Sequence, residues 1–297
     1  MFLSHVKYLI CSGCDAFAVH LILVSLLTSL QLKFDGKAVA GVLYVFIPWW
    51  MAHWEEYHTG IMVYGSGLWG VTEANYAVCL VHLYTYFLGP IGWKYRPFVN
   101  SCMALRREGM LTRICATIYH LQINDILLLT FGFMGVSLFL QQVLRVFKLS
   151  ESEALLKSTL PLAERGNKSL GLLNAAVHLF QILWTCIACG SILMLPIVPQ
   201  FHSRVLFAIF GVTYALQATR LIMAHMTKEP FVIAIWPNLF IAILVLNALV
   251  PFADPVNLAY FVFFSITAGY LHYIIGVISE ICEFLGIHAL TIKAKPE

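Results

Sequence analysis

Two carboxylates, two imidazoles and two aromatic rings fall within nine residues, Ala52-His53-Trp54-Glu55-Glu56-Tyr57-His58-Thr59-Gly60. They follow an almost wholly apolar run from Ala38 to Met51. Carboxylates and imidazoles can take a proton or orient a polar substrate, and apolar surroundings make their placement costly. A plain reading is that a helix leaves the bilayer here, with Trp54 and Tyr57 in the aromatic belt and the glutamates in water. The functional reading makes this helix end one wall of a polar site, with Trp54, Glu55, Glu56 and Tyr57 against a substrate. His53 and His58 flank Glu55, but their spacing matches no standard zinc pattern.

Other ionisable groups stand at the ends of apolar runs or inside them. Asp15 opens one run, Glu73 opens another, Asn124-Asp125 falls within a third, and Arg220 and His225 come late in a fourth. Glu280 closes the last. If the runs are antiparallel helices, Asp15, Glu55, Glu56, Glu73, Arg220, His225 and Glu280 lie near one membrane face. Each alone is explained by a helix ending at the interface; their number on one face points to a shared polar cavity. No GxSxG, P-loop or HExxH pattern is present.

The elements that must hold these residues are membrane spans. Of the 297 residues 60% are hydrophobic and only 11% charged, with mean hydropathy +0.83. A soluble domain carries about 25% charged residues. The chain therefore reads as all-α, a polytopic integral membrane protein whose side chains meet lipid or other helices. A net charge of +3, scattered, gives no support to a nucleic-acid role. Met1 to Ile10 shows no convincing cleavable signal. Most of the eight cysteines lie inside apolar runs, where a free thiol is a small hydrophobe. Cys186 and Cys189 have CxxC spacing but no second ligand pair beside them.

A span needs about 20 mostly apolar residues. About eight segments approach that: 14–32, 36–53, 71–91, 117–146, 170–198, 205–226, 231–250 and 258–278. Asp35-Gly36 predicts a tight hairpin between the first two. Pro237 predicts a kink inside the seventh. Asp125 either lies within the fourth span or begins it after an amphipathic lead-in. The stretch 148–169 is the most polar and reads as a connection between residues 1–147 and a four-helix half, 170–297. Lysine and arginine divide almost evenly between the two faces, so charge does not set the orientation.

The order of the polar pieces carries a resemblance. Gly13-Cys14-Asp15, then Ala52 to Gly60, then Val71-Thr72-Glu73, then Arg220 to Lys228, then Tyr270 through Glu280 to His288, resembles the eukaryotic CDP-alcohol phosphotransferases, nearest to the choline/ethanolamine branch. The similarity runs over essentially the whole chain. It implies an enzyme of phospholipid biosynthesis, a transferase in endoplasmic reticulum or Golgi membranes. The substrates implied are CDP-ethanolamine or CDP-choline and diacylglycerol, in membrane lipid. It also implies Mg²⁺ or Mn²⁺ held by the aspartates of the motif D-x2-D-G-x2-A-R-x8-G-x3-D-x3-D. In that chemistry a carboxylate takes the proton of the diacylglycerol hydroxyl, which attacks the phosphate and expels CMP. The resemblance gives Asp15 the role of that base and suggests dimer contacts in the last four spans.

The sequence departs from the pattern in front of Asp15. Cys11 stands where the third aspartate belongs, Ser12 where a histidine is usual, and the earlier aspartates have no counterpart among the ten residues before Cys11. No metal ligand can be named with Asp15 on this basis. Asp35-Gly36-Lys37 echoes the D-G core but follows Asp15, and a hairpin turn explains it better. The expectation is therefore a family member whose 297 residues lack most of the catalytic motif. The alternatives are a catalytically inactive short form associating with a full-length member, or a membrane transporter.

Overall fold

The computed structural model describes residues 18–32, 36–61, 63, 70–99, 118–159, 172–193, 203–227 and 229–286. Asp15, Cys11, Ser12 and the Asp35 turn lie outside the described residues. Apart from a single bridge residue at Gly70, the described regular secondary structure is helical. In chain order the helices are α1 (Ala18–Ser29), α2 (Gly36–Thr59), α3 (Val71–Leu88), α4 (Ile123–Thr159), α5 (Leu172–Leu193), α6 (Ser203–Thr227), α7 (Trp236–Leu249) and α8 (Pro255–Leu285), with a short 3-10 turn at Pro90–Lys94.

Among the described residues four stretches are long and apolar enough to cross a membrane: Ile123–Lys148, Leu173–Ser191, Arg204–Thr227 and Pro255–Phe284. Ala18–Ser29 and Trp236–Leu249 are apolar but short, and α2 and α3 are helices outside the set. A helical membrane architecture thus stands, on fewer clear spans than eight. α2 falls short through its polar end, His53 to Thr59, rather than through length.

The chain divides into two compact units, one of residues 19–186 and one of residues 187–297 with 1–18. In the first unit α2 packs along α4. Pro48 sits within α2 and cannot donate a hydrogen bond, which leaves the Tyr44 carbonyl one turn earlier without its helical partner. Gly135 of α4 lies against that carbonyl; a Cβ on Gly135 would come within 2.9 Å of Tyr44 O. Gln142 Nε2, a further two turns along α4, donates to Pro48 O at 3.1 Å. The proline irregularity in α2 is thus matched by a glycine and a glutamine on its neighbour.

At its start α4 settles the position of Asp125. The helix begins at Ile123, and Asp125 lies in its first turn, where it accepts from Gln122 N at 3.1 Å and from Lys37 Nζ at 2.5 Å. A carboxylate in a first turn meets unpaired N–H groups and the positive end of the helix dipole. Asn124 donates to Leu30 O at 3.2 Å. At its other end α4 runs on through Lys148 as far as Thr159, so the polar stretch after Phe147 starts as helix.

In the second unit α6 is the buried helix: 83% of its apolar window lies inside, against 11% for α8. Pro237 opens α7 instead of kinking a longer helix, as a proline does most easily where its missing N–H is not needed. The residues before it, 229–235, have no regular secondary structure. Gln217 of α6 stands in for a neighbouring strand there, donating to Ala234 O at 2.6 Å and accepting from Ala234 N at 3.1 Å. Asn247 closes the next turn on Phe252 N and Ala253 N and on Ala253 O. Asp254 caps α8 through Asn257 N at 2.8 Å.

Candidate functional site

The end of α2 carries the polar cluster, and most of it is buried. Trp54 is 0% and Glu55 1% exposed, and His53 and His58 are buried beside them. The glutamates do not stand in water beyond a helix end. Glu55 faces α4 and receives a two-point contact from Arg145, through Nε to Oε1 and through Nη2 to Oε2 at 2.9 Å. This fork-to-carboxylate geometry is the strong form of the ion pair. Burial of Glu55 makes the pairing obligatory for the carboxylate, which alone would be desolvated without compensation.

Glu56 points elsewhere. Its Oε2 lies 3.5 Å from His53 Nδ1, one turn back on the same helix, an electrostatic contact too long to satisfy the imidazole as a hydrogen bond. Tyr57 packs its ring edge-on to His58, with centroids 5.0 Å apart, and against His178 of α5 at 5.8 Å. His58 Nε2 and His178 Nδ1 are 3.3 Å apart, so one imidazole donates to the other across α2 and α5. Trp54 packs edge-on to His58 at 5.2 Å. Glu73 is exposed at the start of α3, and the structure gives it no contact with this cluster. Asp15 lies outside the described residues.

The structure therefore brings Trp54, Glu55, Glu56 and Tyr57 together with His53, His58, Arg145 and His178 in residues 53–58 of α2 and their neighbours on α4 and α5. Sequence reasoning missed Arg145 and His178. Arg145 read as one of several interfacial cations. His178 is a lone imidazole in an apolar run, a signal that by itself points to a satisfied core residue as readily as to a site. Several buried atoms in the cluster have no hydrogen-bond partner among the described residues: Trp54 Nε1, His53 Nε2, His58 Nδ1 and Gln142 Oε1. Buried polar atoms left over in this number are uncommon in a finished core. They give the cluster unused donors and acceptors for a polar group of a substrate.

The same groups do not make a metal site. Among the described residues no three His, Cys, Asp or Glu side chains converge where one ion could be held. Glu55 is engaged by Arg145, Glu56 sits beside His53, and Glu73 is apart. A pair of hard divalent ions needs several oxygen ligands at about 2.0–2.6 Å, so the described residues do not fit the metals that the resemblance implies.

A helical membrane protein with buried carboxylate and imidazole groups and a half-buried guanidinium against them is the class these observations define. Two curated relatives narrow it. The chain is 23% identical over 291 residues to the "Uncharacterized CDP-alcohol phosphatidyltransferase class-I family protein 1" of Dictyostelium discoideum, covering 96% of this chain and 66% of that protein. It is 26% identical over 312 residues to family protein 3 of the same organism, covering 95% of this chain and 70% of that one. No family model matches the chain. The chain is a homologue of CDP-alcohol phosphatidyltransferase class-I family proteins, and it spans about two thirds of the length of the curated relatives it matches.

Proposed function

We propose that this chain serves membrane phospholipid synthesis, in a reaction that transfers phosphoethanolamine or phosphocholine from a CDP-alcohol to diacylglycerol and releases CMP. The observation that carries the reading is similarity to two CDP-alcohol family proteins through nearly the whole chain. In this reading Asp15 takes the proton from the acceptor hydroxyl as that oxygen attacks phosphorus. Trp54, Glu56 and Tyr57 contact the substrate, and the Glu55–Arg145 pair holds α2 against α4 so that they stay in register. Mg²⁺ or Mn²⁺ would come with carboxylates other than those described above, and no step is assigned to them. The site of action is an internal membrane, endoplasmic reticulum or Golgi.

The test is a labelled CDP-alcohol assay in lipid with Mg²⁺ or Mn²⁺. The 297 residues fused behind a segment carrying D-x2-D-G-x2-A-R should release CMP, and Asp15→Asn should remove that activity. A fused chain that folds yet releases no CMP sinks the transferase reading. A second reading, association with a full-length homologue, is supported by the engagement of Glu55 by Arg145. It expects the unfused chain to co-purify with such a homologue and to alter its rate.

A further inference from the structure

The second unit contains an arginine whose position no part of the transfer reaction uses. Arg220 stands inside the apolar stretch Arg204–Thr227, seven residues before its end, which is about 10 Å of helix at 1.5 Å per residue. A guanidinium at that depth is costly, stays charged, and marks a functional site by default. Its partners are limited. Arg220 Nε donates to Val232 O at 3.2 Å, in the irregular stretch before α7. Its Cζ lies 5.6 Å from the centre of the Tyr273 ring on α8. Among the described residues no carboxylate pairs with it. Arg220 is half-buried, and its two Nη groups, with four N–H donors, have no protein acceptor among the described residues, so the outer face of the guanidinium is open to a ligand.

The surroundings narrow the kind of acceptor that would suit this guanidinium. Tyr270 lies one turn before Tyr273 on α8, with its hydroxyl 3.4 Å from Thr219 Oγ1, next to Arg220 in sequence. Glu229 and Glu280 are both exposed and lie within electrostatic reach of Tyr273. On the same helix Leu271 and Ile275 are 52% and 63% exposed, an apolar flank suited to acyl chains. The groups on hand are thus a held cation with open donors, two phenols, two outlying carboxylates and an open apolar flank. They match a phosphodiester that carries an ammonium and two chains.

We propose that Arg220, with Tyr273 behind it and Tyr270 beside it, binds the phosphate of a zwitterionic membrane phospholipid, whose ammonium is directed toward Glu229 and Glu280. The fixed guanidinium gives two parallel N–H donors to one phosphate. The carboxylates disfavour a purely anionic head group. This site lies in residues 219–280 and does not depend on the transfer reaction proposed for α2.

The test uses the full 297-residue chain in maltoside micelles, titrated with dihexanoyl phosphatidylcholine and followed by thermal unfolding. The phospholipid is expected to raise the melting temperature saturably, while dihexanoylglycerol and inorganic phosphate leave it unchanged. Dihexanoyl phosphatidylglycerol is expected to bind at least ten-fold more weakly. Arg220→Gln should raise the apparent Kd for phosphatidylcholine ten-fold or more, and Arg220→Lys, which keeps the charge without the fork, should give an intermediate value. Should Arg220→Gln fail to fold, Arg220→Lys and the double variant Glu229→Gln/Glu280→Gln carry the test, the latter by erasing the preference over phosphatidylglycerol. Equal affinity in wild type and the Arg220 variants overturns the proposal. So does an equal shift with inorganic phosphate, which would make this a free-anion site, or with dihexanoylglycerol, which would make it an acyl groove.

Discussion

Glu55 and Arg145 form one interaction but do not share its risk equally. The Glu55 side chain is 1% exposed and that of Arg145 35%. Removing the arginine strands a carboxylate in the interior; removing the glutamate leaves a guanidinium that can still reach water or head groups. Arg145→Met should therefore cost about 3–5 kcal/mol, the range for an uncompensated buried charge. Glu55→Gln, which keeps an acceptor, should cost about 1–2 kcal/mol. Unfolding of the two variants in micelles, monitored by circular dichroism, checks the order, and equal losses would show that the pair is wetter than its burial implies. The double apolar variant Glu55→Leu/Arg145→Met should recover much of the stability. If the pair only holds α2 in register, the double variant also keeps whatever activity a fused chain shows.

The helices are held by matched irregularities, and these can be tested one at a time. Gly135→Ala would press a methyl group on the Tyr44 carbonyl that Pro48 leaves open. Backbone cannot swing aside as a side chain can, so the expected loss is about 1–3 kcal/mol. Gly276→Ala is the control. It lies mid-helix in α8 with nothing within 4 Å of the added carbon, and should be neutral or stabilising by up to about 1 kcal/mol. Gln217→Leu strands the N–H and C=O of Ala234 together and should cost about 2–5 kcal/mol, since each buried orphan costs about 1–3. Melting temperatures of these three variants rank the contacts, and an unperturbed Gln217→Leu would mean that 229–235 is hydrated. The helices themselves were legible in the sequence, because apolar runs of span length have few other solutions in a bilayer. Their ends were less so. Pro237 reads as a kink within 231–250, and only the irregular 229–235 stretch, held at Ala234 by Gln217, turns it into a helix start. The site was half legible: residues 53–58 announce themselves by density, whereas Arg145, 90 residues from Glu55, and His178, 120 from His58, are joined to them only by packing.

For the molecule as a whole, the decisive quantity is how many hard ligands it can gather. Two divalent ions facing a diphosphate need several carboxylate oxygens converging at once. The two carboxylates of the α2 cluster are engaged, Glu55 taking both of its contacts from Arg145 and Glu56 drawn to His53, while Glu73 stands exposed on α3 with no contact to the cluster. To recruit Glu55, an ion would have to displace the Arg145 guanidinium and then leave that cation beside it. Imidazoles from His53, His58 and His178 are no substitute, because Mg²⁺ and Mn²⁺ prefer carboxylate, carbonyl and water ligands. The 297-residue chain in micelles should therefore leave the electron paramagnetic resonance signal of added Mn²⁺ close to that of the free hexa-aquo ion at micromolar concentration. The same chain fused behind a D-x2-D-G-x2-A-R segment should quench that signal, with Asp15→Asn weakening the effect. Tight Mn²⁺ binding by the unfused chain, lost in Glu55→Gln, would mean that the Arg145 contact opens in solution and that α2 supplies ligands directly. Tight binding lost only in Asp15→Asn would place the ions near Asp15 with ligands from outside the described residues, and leave the α2 cluster as a substrate wall.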